Sequence, residues 1–190
     1  MPDGSQVSRT LSYGLFTLPN MVTFGRICAA PLSFWMILDH RPDLAFFVFL
    51  GAGLSDAVDG WLARRYGGNA LGAILDPVAD KALLVTMYTT LAAVNVLPDW
   101  LAILVVFRDV LIVGGVILLA VLGHKVPIRP LLISKINTTA QIILVAWALL
   151  FTGFGLTVPY VLALLIWTVA LTTLASGSIY VWMVARGPVP

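Results

Sequence analysis

The sequence predicts an all-α, polytopic membrane protein with six transmembrane helices and a short N-terminal interfacial helix. Three observations carry that prediction. Of 190 residues, 60% are hydrophobic and 11% charged, and the mean hydropathy is +1.00, far from the balance of a water-soluble domain. Apolar segments long enough to span a bilayer recur along the chain, separated by short polar or proline-containing breaks. Four aspartates, Asp56, Asp59, Asp76 and Asp80, sit within this apolar background, and an ionisable residue at membrane depth points to function.

Residues 1 to 19 are mixed and polar, with Asp3 and without the basic-then-apolar order of a cleaved signal peptide. Leu11 to Pro19 reads as the interfacial helix, its Tyr13, Leu15 and Phe16 suited to the boundary beside a first span. That span runs from about Met21 to Leu38 and ends at DHRPD, 39 to 43. Arg26 within it either snorkels to the interface or contacts a phosphate or carboxylate. Cys28 is the only cysteine, so no intrachain disulfide forms.

The second span runs from about Leu44 into Ala63 and the third from about Leu71 to Val96, joined by a turn at Tyr66 to Ala70 that contains Gly67 and Gly68. VLPDW ends the third, and a fourth continues to about Gly123 with Arg108 and Asp109 near its middle. Adjacent residues point in different directions on a helix, so each of these two is expected to find its partner on another helix or on substrate rather than on its neighbour. HKVPIRPLLISK, 124 to 135, reads as a basic loop, and the fifth and sixth spans follow at about Ile136 to Phe151 and Pro159 to Val184. No internal repeat or soluble appendage breaks the pattern, so residues 1–190 read as a single membrane domain.

Six spans put both termini on one side. Arg9, Arg64, Arg65, Lys125, Arg129, Lys135 and Arg186 fall on that side and only Arg41 on the other. The positive-inside rule makes that side cytoplasmic. Basic residues there also attract anionic lipid, by about 1 kcal/mol each.

The chemistry gathers at residues 55 to 81. At about 100° per residue, Asp56, Asp59, Gly60 and Ala63 share one narrow helical face. Gly72, Asp76 and Asp80, at i, i+4 and i+8, share a face of the next helix. Four carboxylates meeting across one hairpin require cations, because like charges in a low dielectric cannot all ionise alone. An all-oxygen set without histidine or cysteine suits hard Mg²⁺ or Mn²⁺, and four charges suit two ions. Such a pair of ions clamps a pyrophosphate and steadies the attacking and leaving oxygens of a phosphoryl-type transfer. The small Gly60, Ala63 and Gly72 leave room for a nucleotide or phosphate near the backbone, or serve ordinary helix packing.

These residues carry a family resemblance. Asp56-x2-Asp59-Gly60-x2-Ala63-Arg64, followed by Gly72-x3-Asp76-x3-Asp80, resembles the signature of the CDP-alcohol phosphatidyltransferases, and LPNMVTFGRI at 18 to 27 is similar to that family's first-helix opening. The link between Arg64 and Gly72 is shorter than is usual there. The resemblance implies that Asp56, Asp59 and Asp76, with Asp80, hold the metal, that Asp56, Gly60, Ala63, Arg64 and Gly72 line the CDP site, and that Asp80 is the base. It also implies CDP-diacylglycerol as donor, CMP as leaving group, a homodimer, and a site open to the cytoplasmic leaflet of what reads as a bacterial inner membrane. No nucleic acid is implied as a partner.

FRDV and ISKINTTAQIILVA are similar to the CMP-forming cardiolipin synthases, and WTVALTTLASGSIY at 167 to 180 leans the same way. Their acceptor is phosphatidylglycerol. Phosphatidylglycerophosphate synthases, which take glycerol 3-phosphate, are the alternative and tend to place a second lysine where Asn137 stands here. Arg108 and Lys135 are the expected contacts to the acceptor phosphate, unless they serve helix pairing and topology. Outside this class stand a hydrolase that uses the same metals on water and a non-enzymatic cation carrier, although a carrier favours repeated halves and broken helices over one acidic hairpin.

Overall fold

The computed structural model describes residues 18–66, 70–121 and 132–185, with side chains placed for 24–55, 79–115 and 132–183. The described residues form six helices and no strand: α1 (Leu18–Leu38), α2 (Pro42–Tyr66), α3 (Ala70–Ala93), α4 (Asp99–Val121), α5 (Leu132–Gly153) and α6 (Pro159–Ala185). Each is 21 to 27 residues long, about what a hydrocarbon core requires. Among the described residues, two stretches, Leu132–Gly153 and Pro159–Met183, are both long and apolar enough to cross a membrane. Most of the predicted interfacial helix, the 66 to 70 turn and the basic loop before Leu132 lie outside the described residues.

Three helices end in the same way. His40 (φ 58°), Asn95 (φ 60°) and Gly155 (φ 64°) each take the left-handed conformation just past a helix. The next residue then bonds back five positions, Arg41 to Met36, Val96 to Leu91 and Leu156 to Phe151, each at 2.9 Å. This closure satisfies carbonyls that the helix leaves open. Prolines follow at Pro42, Pro98 and Pro159, where a first turn needs no amide donor. Between α1 and α2, the Arg41 guanidinium donates to Asp43 through Nε at 3.3 Å and Nη2 at 3.4 Å. That contact holds the exposed carboxyl below its usual range.

The chain divides into two compact units, residues 1–87 and 88–190, with α3 crossing the boundary. In the first, α1 packs on α2. Ala30, Ser33 and Ile37 of α1 are buried, as are Ala45, Phe49 and Ala52 of α2, both sets at helical spacing. In the second, α6 packs on both α5 and α4. Its core contains Leu101, Val105, Leu144, Ala148 and Val169, all without exposed surface. Outward faces in both units are apolar: Phe24, Trp35, Phe47, Ile103, Phe107, Leu164 and Leu171 are all exposed. Large apolar side chains exposed in such number mark surfaces meant for something other than water.

Candidate active site

Helices α2 and α3 carry the predicted acidic positions in the expected register. Positions 56, 59, 60, 63 and 64 lie on α2, and positions 72, 76 and 80 lie on α3. Glycine at 60 and 72 does not break either helix. The side chains of Asp56, Asp59, Gly60, Ala63, Arg64, Gly72 and Asp76 lie outside the described ones. Asp80 is the predicted metal ligand whose side chain is described.

Asp80 is paired. Nη1 of Arg26, on α1, donates to Asp80 Oδ1. The two partners differ sharply in exposure, with the Arg26 side chain 2% exposed and that of Asp80 43%. The cation is therefore buried while the carboxylate stays partly accessible. Of the two roles expected for Arg26, the structure selects the carboxylate contact and excludes snorkelling, because a snorkelling guanidinium keeps its head in water.

Arg26 also borders a cleft of about 330 Å³ between α1 and α2. Because the two helices are consecutive and antiparallel, Arg26 and Ser55 stand at one end of it and Leu32 and Val48 at the other. Ala29 and Ala52 lie between, and their small side chains open the space. One end of the cleft is polar and the remainder apolar.

The second unit holds a buried polar cluster. Arg108 of α4 is 4% exposed. Its Nη1 donates to Asp109 Oδ1 at 2.8 Å, and its Nη2 donates at 2.6 Å to Ser134 Oγ of α5 and at 2.6 Å to Ser176 Oγ of α6. The expectation that neighbours 108 and 109 do not bridge each other is thus corrected. A guanidinium on a three-carbon stem can fold back to the adjacent residue, and neither charge reaches water to be solvated instead. Asn137 of α5, fully buried, accepts from Thr172 and Thr173 of α6 at 2.9 Å each. Tyr88 donates to the Gln141 carbonyl at 3.3 Å.

Lys135 is another correction of placement. It is exposed in the first turn of α5, which begins at Leu132, and is not in the loop. Arg108 touches its neighbour Ser134, so the structure brings the two expected acceptor contacts to the same end of α5. Sequence reasoning missed the hydroxyl partners Ser134, Thr173 and Ser176. Their signal was present as spacing: 134, 137 and 141 on one helix, and 172, 173 and 176 on another, each recur within one turn. Among the described residues no group of three metal-ligating side chains converges. Three of the four aspartates stand outside that set.

Two consecutive helices thus carry aspartates at i, i+3 and i, i+4, and the last of these, Asp80, is paired with a buried arginine. Residues 16–183 match the family described as CDP-alcohol phosphatidyltransferase, and the chain belongs to that family. It is 38% identical to a chloroplastic CDP-diacylglycerol–glycerol-3-phosphate 3-phosphatidyltransferase of Oryza sativa, over 92% of this chain and 60% of that protein. It is 35% identical to a Schizosaccharomyces pombe cardiolipin synthase (CMP-forming) / mitochondrial hydrolase fusion protein, over 92% of this chain and 32% of that protein. With the cardiolipin synthase (CMP-forming) of Rattus norvegicus the identity is 33%, over 92% of this chain and 64% of the relative. The chain thus spans between 32% and 64% of the length of these relatives.

Proposed function

We propose that this protein transfers the phosphatidyl group of CDP-diacylglycerol to an alcohol acceptor, releasing CMP, and that the acceptor is phosphatidylglycerol, giving cardiolipin. The observation that carries this reading is the placement of the aspartate signature on two consecutive helices, with Asp80 half open and held by Arg26. Glycerol 3-phosphate is the alternative acceptor, supported by the similarity to the rice glycerol-3-phosphate 3-phosphatidyltransferase.

Asp56, Asp59, Asp76 and Asp80 would hold divalent metal, on which the family generally depends. The all-oxygen set fits Mg²⁺ or Mn²⁺, and two ions would offset four carboxylates. Bound there, the metal supplies charge neutralisation for the pyrophosphate. Gly60, Ala63, Arg64 and Gly72 line the nucleotide. Asp80 accepts the proton of the acceptor hydroxyl as its oxygen bonds to the lipid-linked phosphorus. The bond from that phosphorus to the CMP oxygen breaks, and CMP leaves with the electron pair. Arg108 and Lys135 orient the phosphate of the acceptor. The apolar part of the cleft between α1 and α2, at Leu32 and Val48, suits an acyl chain of the donor.

Six spans and a site on the cytoplasmic face of a bacterial inner membrane complete the reading, from helix length and the distribution of Lys and Arg, with a homodimer as the family resemblance implies. The test is product analysis. Purified protein in detergent with CDP-diacylglycerol and Mg²⁺ or Mn²⁺ is offered phosphatidylglycerol or glycerol 3-phosphate separately. Cardiolipin from the first supports the leading reading, and phosphatidylglycerophosphate from the second moves the protein to the alternative. Release of CMP without any joined alcohol means hydrolysis and overturns both.

A further inference from the structure

We propose that Arg26 is a positioning residue for Asp80, fixing the carboxylate in the orientation from which it takes the acceptor proton. The inference rests on the reading of Asp80 as base and adds to it a residue from a different helix, 54 positions earlier in the chain.

Geometry separates this role from plain helix pairing. Arg26 Nη1 meets Asp80 Oδ1, and the guanidinium is 2% exposed while the carboxylate keeps 43% of its surface open. A buried ion pair is a poor stabilising device, because desolvating both charges offsets most of their attraction. What it does provide is direction: a planar, always-charged donor on a rigid helix restricts the rotamers of the acid it touches. Ala79, beside Asp80, is fully buried, so the α3 backbone is anchored at that point and Arg26 restricts the side chain that projects from it.

The experiment compares Arg26→Gln, Arg26→Lys, Asp80→Asn and the double variant Arg26→Gln/Asp80→Asn, with full-length protein in detergent. Arg26→Gln is expected to lower kcat roughly 10- to 100-fold, the scale of a misplaced reacting group, with the KM for CDP-diacylglycerol and the melting temperature near those of the parent. Arg26→Lys, which keeps the charge, recovers part of the rate. The double variant is no slower than Asp80→Asn, because Arg26 acts through Asp80. Mn²⁺ titrated onto the proteins binds parent and Arg26→Gln within a few-fold of one another. A parent-like kcat in Arg26→Gln, a double variant slower by the product of the two single losses, or a melting temperature that falls with the rate would overturn the proposal. So would much tighter Mn²⁺ binding with a higher rate at low metal, which makes Arg26 a competitor for the site. Parent-like turnover in Asp80→Asn removes the base assignment itself, a failure distinct from that of Arg26→Gln alone.

Discussion

Arg108 on α4 and Ser176 on α6 are joined by a 2.6 Å hydrogen bond across 68 positions of sequence. The same guanidinium nitrogen reaches Ser134 of α5, so one side chain ties three helices. Arginine suits this place because its fork offers several donors in fixed directions and stays charged when buried.

Removing that fork has two consequences. Arg108→Ala leaves Asp109, 7% exposed, without its cation, and a broken buried pair costs about 3–5 kcal/mol. The variant should melt well below the parent, and Arg108→Ala/Asp109→Ala should regain part of the loss. In the assay, the acceptor KM should rise with donor KM little changed. An equal rise in both would confine Arg108 to a structural role.

Asp80→Asn should keep CDP-diacylglycerol binding and lose turnover by about 10²- to 10⁴-fold, the contribution typical of a general base. Equilibrium binding of the donor beside a single-turnover assay checks both halves. Loss of binding would reject this division of roles.

For Asp56→Asn the expectation is a coupled defect, in which more Mg²⁺ is needed for half-maximal rate and nucleotide affinity falls as well. Full activity at low Mg²⁺ would contradict the metal assignment.

Thr173→Val removes one of the two hydroxyls that Asn137 accepts. Hydrogen bonds between membrane helices average about 0.6 kcal/mol and reach about 1.7. A small fall in melting temperature with unchanged kinetics is therefore expected, and a change of acceptor preference would give this cluster a role beyond packing α5 on α6.

Neighbouring glycines on α4 should behave differently. A methyl at Gly114 meets nothing within 4 Å, whereas one at Gly115 comes to 3.0 Å from the ring and hydroxyl of Tyr180 on α6. Gly114→Ala should be neutral or stabilising by up to about 1 kcal/mol from helix propensity. Gly115→Ala should melt below it, since the ring must shift to admit the methyl.

The sequence by itself determined the six helices and, within a few residues, where they stop, because apolar run length, prolines and left-handed caps are local properties. It also determined the register of Asp56, Asp59, Asp76 and Asp80, since spacing on a helix is fixed by 3.6 residues per turn. Partners were a different matter. That Arg26 faces Asp80, that Arg108 turns back to Asp109 while holding Ser134 and Ser176, and that Asn137 is closed between two threonines were decided by the tertiary structure alone. Helical periodicity says which residues share a face, but not which face of another helix it meets, nor how far a flexible arginine reaches to satisfy a charge that burial has cut off from water.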